Sequence, residues 1–190
     1  MPLQWSGEPT DWHADDDRLA VTAGARTDWF VDPADPAQAK ANAPALLGPA
    51  SGDYLLGTRV KVAFAAVYDA GVLMLHVDDR TWAKLCFEYS PQQEPTIVSV
   101  VTDGTSDDAN AFAVERNEVW LRIAHIGSAF AFHASVDGST WRLIRYFALA
   151  GAREPSVGFV AQSPTGEGCT VTFDEIRFEQ RRLADLRSGE

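Results

Sequence analysis

Six side chains combine hydrogen-bonding or aromatic chemistry with positions that alternate against apolar neighbours: His76, Lys84, Glu88, Trp120, Arg122 and His133. Successive side chains of a strand point to opposite faces. Leu73, Leu75 and Val77 therefore share a face with Ala83, Leu85 and Phe87, which leaves Met74 and His76 beside Lys84 and Glu88. Val119, Leu121 and Ile123 alternate in the same way with Trp120 and Arg122, and Phe130, Phe132 and Ala134 with His133 and Ser135. Gathered on the concave side of a curved sheet, the six form one groove. Flat aromatic faces beside such donors and acceptors suit a saccharide or another polyol. Glu88 with His76 or His133 would supply an acid–base pair instead. The competing account needs no ligand: Lys84 with Glu88, and Arg122 with a neighbouring acid, become surface ion pairs worth about 0–1 kcal/mol each.

Other chemistries find less support. Cys169 lies between Gly166-Glu167-Gly168 and Thr170-Val171-Thr172, with no base beside it, and reads as a turn residue. It and Cys86 are expected to be free thiols. The acidic runs Asp15-Asp16-Asp17 and Asp103-Gly104-Thr105-Ser106-Asp107-Asp108 lack the spacing of a known calcium loop, and turn composition explains both. No zinc pattern, nucleotide-binding glycine motif or hydrolase elbow occurs, so no metal and no cofactor is expected. Trp82 and Trp141 end turns and read as hairpin packing residues. Trp29 stays open between packing and a ligand platform.

The elements that must position these groups are strands. Val77-Asp78-Asp79-Arg80-Thr81-Trp82 and Val136-Asp137-Gly138-Ser139-Thr140-Trp141 echo each other, each an acidic turn between alternating apolar runs. Further strands are expected at 4–5, 18–23, 27–31, 54–66, 72–77, 82–89, 96–102, 118–124, 129–136, 141–147, 156–162 and 171–179. The stretch 33–49, interrupted by Pro33, Pro36, Pro44 and Pro49, reads as a long loop with one helical turn near 37–41, placed to rim a site. The polar tail 180–190 reads as one helical turn or a frayed end. The 190 residues fit one domain, 1–190, with an aromatic-rich core: 46% of the chain is hydrophobic and six residues are Trp. A net charge of −11 opposes nucleic acid and anionic membrane surfaces as partners. The first residues lack a basic flank and an apolar core, and no apolar run is long enough for a membrane helix, so a cytoplasmic protein is expected.

The runs 68–78, 82–88 and 99–102, with Trp120-Leu121-Arg122, Ser135-Val136-Asp137-Gly138 and Trp141, carry a family resemblance, and 27–33 and Ser163-Pro164 extend it over most of the chain. The chain resembles the "regulation of enolase" family, a domain of unknown function. The resemblance implies an all-β fold, a concanavalin A-like jelly-roll β-sandwich of two antiparallel sheets, as in lectins and glucanases. It brings no catalytic residues with it. Glucanases of this architecture use a strand reading Glu-x-Asp-x-x-Glu. The nearest text here, Phe173 to Glu179, aligns Glu175 with Glu179 but turns Asp174 to the other face, so it reads as a structural strand. The leading expectation is a non-catalytic sandwich that binds a saccharide or polyol through the six residues. The alternatives are a protein-interaction or regulatory module, forming a homodimer or holding a protein partner, and a glycoside hydrolase or lyase.

Overall fold

Two series with the same period of two, Leu73, Leu75, Leu85 and Phe87 on one side and Val119, Leu121 and Ile123 on the other, meet across one core. The computed structural model describes residues 2–149, 151 and 154–190. Among them, sixteen strands occur: β1 Gln4–Trp5, β2 Asp11–Ala14, β3 Leu19–Thr22, β4 Trp29–Phe30, β5 Lys40–Ala41, β6 Ala45–Pro49, β7 Tyr54–Ala63, β8 Ala70–Asp78, β9 Thr81–Tyr89, β10 Pro95–Asp103, β11 Thr105–Ala113, β12 Glu118–Ile126, β13 Ala129–Ser135, β14 Arg142–Phe147, β15 Ser156–Gln162 and β16 Thr170–Glu179. The first seven-stranded sheet runs β1-β6-β15-β8-β9-β10-β11 and the second β14-β13-β12-β7-β16-β3-β2, while β4 and β5 pair separately. The pairings are antiparallel. This is the all-β, concanavalin A-like sandwich that the sequence resemblance implies.

Between the sheets, Phe87, Phe130, Phe132, Phe159 and Phe173 are at most 1% exposed. Burying each side chain of this size contributes about 1.5–3 kcal/mol. The core also demands close approach at two glycines. A Cβ on Gly71 would come 2.5 Å from Val60 Cγ1 and 2.7 Å from Val171 Cγ1, and one on Gly158 would run into the backbone carbonyl of Leu46 on the adjacent strand.

Several stretches differ from their sequence expectations, among them β2, a strand where none was expected. The expected loop 33–49 supplies β5 and β6, and β6 is an interior strand between β1 and β15. Its run Ala45-Leu46-Leu47-Gly48-Pro49 is too short and too apolar to alternate, because both faces are covered. The single helical turn is a 3-10 turn at Pro36–Gln38. The acidic run 103–108 is only in part a turn: Asp103-Gly104 links β10 to β11, and Asp107 and Asp108 belong to a polar edge strand. In β16, a bulge with Glu175 at φ 51° resets the alternation. Asp174 and Glu175 therefore both reach Arg59, at 2.7 and 3.4 Å, rather than facing apart.

The tail 180–190 is neither frayed nor free. Leu183 and Leu186 pack on Leu55, Ala124 and Ala131 of the second sheet's outer face. Asp185 closes the turn, its carboxylate accepting from Ser188 N–H at 2.7 Å and its carbonyl from Gly189 N–H at 3.0 Å. Under this strap, Arg122 Nη2 donates to the Gly189 carbonyl, and fully buried His133 places Nε2 at 2.8 Å from the Leu186 carbonyl. Because Nε2 faces an acceptor, the ring is the neutral Nε2–H tautomer.

Two outcomes follow from this packing. Gly158→Ala should lower stability by about 2 kcal/mol or more, because the obstacle is backbone that cannot swing away; urea unfolding checks this through its midpoint. Burial, with the charge of Arg122 added, pushes His133 down to about 4 against the Leu186 hydrogen bond. The unfolded chain takes up that proton below about 6.5 and the folded chain does not, so stability present above pH 6.5 is lost as pH falls towards 4, by up to about 3 kcal/mol. The difference in unfolding free energy between wild type and His133→Gln should shrink by about 2 kcal/mol between pH 7 and pH 4.5, short of the full loss because the folded group titrates only near 4.

Candidate functional site

The outer face of the first sheet is built by register. Gln162 lies opposite Ala70, Ala70 opposite Glu88, and Glu88 opposite Thr96. Two residues along each strand, Val160, Val72, Cys86 and Val98 form the next row, and beyond it come Met74, Lys84, Val100 and Asp108. The middle of this face is apolar, so water cannot cover it cheaply. Residues 28–43 fold across it, with Trp29, Val31 and Ala43 joining Val72, Met74, Trp82 and Val98 in a second cluster. Trp29 is pinned there: Nε1 donates to the Ala43 carbonyl at 2.7 Å, and its ring meets that of Trp82 edge-on at 5.2 Å. This resolves Trp29 and Trp82 as packing residues. It also sets Asp28, whose N–H donates to Asn42 Oδ1 at 2.9 Å, above the sheet.

Beside that cover a cleft of about 330 Å³ remains open, with Asp28, Lys40, Lys84, Glu88, Asp108, Gln162 and Thr165 as its polar groups and Phe30 and Tyr68 as its aromatic ones. Lys84 is 2% exposed, and its Nζ lies 3.3 Å from Asp28 Oδ1 and 3.2 Å from Gln162 Oε1. Burial alone would lower the Lys84 ammonium, but the negative charge around it, Asp28 foremost, leaves it raised. Burial lifts Glu88 to about 8; Lys84 pulls it down, while Asp108 and Asp28 push it further up. Asp108 is raised as well, first by burial. At neutral pH the cleft thus presents a neutralised ion pair and a largely protonated Glu88, which can both donate and accept.

Tyr68, 38% exposed, stands at the mouth of the cleft with φ at 71°, a conformation that costs a non-glycine residue free energy. Asp69 holds it there. That fully buried carboxylate accepts from the N–H groups of Ala65 and Ala66 at 2.8 Å each and from Ser163 Oγ at 2.6 Å.

The six residues singled out in the sequence do not converge. Lys84 and Glu88 line the cleft; His76 shares their face but lies opposite Trp82, six residues along β9 from Glu88, with its ring against Trp29. Trp120, Arg122 and His133 are on the outer face of the other sheet, beyond the core. Each hairpin alternates correctly, but β8–β9 and β12–β13 enter different sheets, which alternation does not specify. Glu88 therefore has neither histidine as an acid–base partner. The expected ion pair of Lys84 with Glu88 is replaced by Lys84 with Asp28, from a segment 56 residues away. Arg122 and His133 hold the carboxy-terminal strap.

Asp28, Phe30, Tyr68, Asp108 and Gln162 are the residues missed. Asp28-Trp29-Phe30 beside a proline-rich stretch was a signal for the first two. Tyr68 gave none, since a positive φ leaves little trace, and Asp108 stood in an acidic run read as a turn and not as an edge strand. Cys86 and Cys169 are buried in different clusters, and burial lifts Cys169 to about 12, so neither is a poised nucleophile. Among the described residues, no group of three or more His, Cys, Asp or Glu side chains is arranged to hold a metal ion.

Comparison with known proteins agrees with the architecture. A protein named Regulation of enolase protein 1, from Saccharomyces cerevisiae, is 30% identical over 118 residues; the match spans 62% of this chain and about three fifths (59%) of that relative's length. A functionally unknown protein from Saccharomyces cerevisiae superposes with a TM-score of 0.84 at 23% identity, covering 93% of this chain and 95% of its own. A GH43 protein from Bacillus licheniformis matches at TM-score 0.67 and 16% identity, over 93% of this chain and 36% of its own. The carbohydrate-binding module CBM66 from Bacillus subtilis matches at 0.54 and 13%, over 92% and 94%. At such identities these structures speak to fold alone. Residues 5–181 match the family model described as protein of unknown function (DUF1349), and the chain belongs to that family.

Proposed function

We propose that the cleft on the first sheet binds a neutral saccharide or related polyol without chemically changing it. The observation that carries this reading is the pairing of two aromatic side chains, Phe30 and Tyr68, with hydrogen-bonding groups fixed by burial, Lys84 with Asp28 and Gln162, and Glu88. Aromatic faces bind the apolar faces of a sugar ring, and donors and acceptors held in place by burial select its hydroxyls. A sandwich of this fold that is a carbohydrate-binding module, CBM66, supports the reading by analogy only. A second reading, a regulatory module that holds a protein partner, draws on the name of the yeast relative and on the nine-residue edge strand β11, which ends its sheet among the described residues and has Ser106 N–H on the Val31 carbonyl. It predicts a stable complex or dimer in gel filtration that survives Tyr68→Ala.

Thermal unfolding against mono- and oligosaccharides tests the saccharide reading. A binder at about 100 times its dissociation constant should stabilise the fold by about 2.7 kcal/mol. Tyr68→Ala should weaken that binder about tenfold while leaving the free protein folded, as expected for loss of one stacking surface. A panel with no shift would remove the proposal.

Glu88 gives a separate check. Its folded value is raised from 4.5 to about 8, so the stability tied to its protonated form is fully present below pH 4.5 and is lost as pH rises through 8. Glu88→Gln should flatten the fall in stability over that window in calorimetry. The same variant should keep ligand affinity, because an amide still donates and accepts; loss of product formation with retained binding would instead reveal an enzyme.

A further inference from the structure

The outer face of the second sheet carries another cleft, of about 360 Å³, framed by Trp120 and Trp141 with Arg122, Arg177 and Arg181 along it. Its acids are already committed. Glu175 accepts from Trp120 Nε1 at 3.2 Å and pairs with Arg59 at 3.4 Å. Asp137 accepts from the N–H groups of Ser139 and Thr140 at 2.8 and 2.7 Å, closing its own turn. Glu179 holds Arg181 at 2.6 Å. Arg122 and Arg177 are left with no carboxylate partner among the described residues.

Arg122 is the telling member. It is 7% exposed, its guanidinium carbon lies 4.0 Å from the Trp141 ring centroid, and one arm donates to the Gly189 carbonyl. Its Nε is buried with no partner at all. A neutral carbonyl and an aromatic face compensate a desolvated cation only in part, and burial with the nearby charge of Arg181 lowers the guanidinium to about 10. The planar fork of arginine matches the paired oxygens of a carboxylate or phosphate. Gly57 lies between Arg122 and Arg177, opposite the first on one neighbouring strand and the second on the other, so the arginines flank a position that carries no side chain. In a chain of net charge −11, two arginines without a carboxylate partner among the described residues stand out, against Asp137 as the one lining acid held by N–H groups and not by a cation.

We propose that this cleft is an oxyanion site, in which Arg122 and Arg177 hold the carboxylate or phosphate group of a small ligand between the rings of Trp120 and Trp141. It lies across the core from the saccharide cleft and stands or falls independently of it.

Titration of the whole protein with inorganic phosphate, glucose 6-phosphate, glucuronate and glucose, followed by tryptophan fluorescence and calorimetry at low salt, tests it. At least one anion should bind about tenfold or more tightly than glucose, with affinity falling as salt rises. Phosphate and glucuronate separate the two sources of the oxyanion. Arg177→Gln, at an exposed position, should keep the unfolding midpoint and weaken the anion about tenfold, whereas Tyr68→Ala should leave it unchanged. Arg122→Lys, which keeps the charge but not the fork, should also weaken it. Equal affinity for all four probes, no binding by any, or an Arg177→Gln variant that binds as wild type overturns the proposal.

Discussion

The first sheet is apolar on both faces at its centre, and much else in the molecule answers to that. From Ala70 to Leu75 every residue is buried, so β8 must be covered twice: by the second sheet on one side and by residues 28–43 on the other. The inner cover is a layer of aliphatic and aromatic side chains. The outer cover is a short irregular segment fixed by Trp29, and wherever it stops, polar groups meet an apolar floor at a cleft. The site exists because the cover is incomplete.

Within that cleft the energetics turn on Lys84. Taking an ammonium out of water costs several kcal/mol unless it is paired and hydrogen-bonded, and Asp28 and Gln162 supply both conditions. The same burial acts on Glu88 and Asp108 with the opposite consequence, since it penalises a carboxylate and Lys84 is already paired with Asp28. Glu88 keeps its proton and becomes a donor. The cover that buries Trp29 therefore also decides the protonation of the site, through the placement of Asp28.

The second sheet solves the same problem differently. Its outer face carries an apolar patch at Leu55, Ala124 and Ala131, edged by Ile126 and Leu143, and the carboxy-terminal strap covers that patch with Leu183 and Leu186. Elsewhere the face is polar and remains a groove. Arg122 and His133, the residues whose types suggest chemistry most directly, are half spent on backbone carbonyls of the strap. Arg59, which carried no signal in the sequence, joins two strands through Asp174 and Glu175 and stacks at 5.5 Å on Trp120. Its contact with Asp174 follows from their direct pairing across the two strands, whereas its contact with Glu175 depends on the bulge there, which no alternation pattern reveals.

The features legible in the chain alone are local and periodic. Alternation assigned Leu73, Leu75, Leu85, Val119, Leu121 and Phe132 to the core face and Lys84, Glu88, Trp120 and Arg122 to the opposite faces, because side-chain direction along a strand has period two whatever the strand's neighbours. The paired acidic turns announced hairpins, and the resemblance supplied the sandwich. The tertiary structure alone decided which sheet each hairpin enters, and so why six plausible site residues separate into two groups. It alone made β6 an interior strand, folded Asp28 onto Lys84 and held Tyr68 at a positive φ. These are contacts between segments distant in sequence, fixed by the need to bury one particular apolar surface, and a single chain read from end to end carries no record of which surfaces meet.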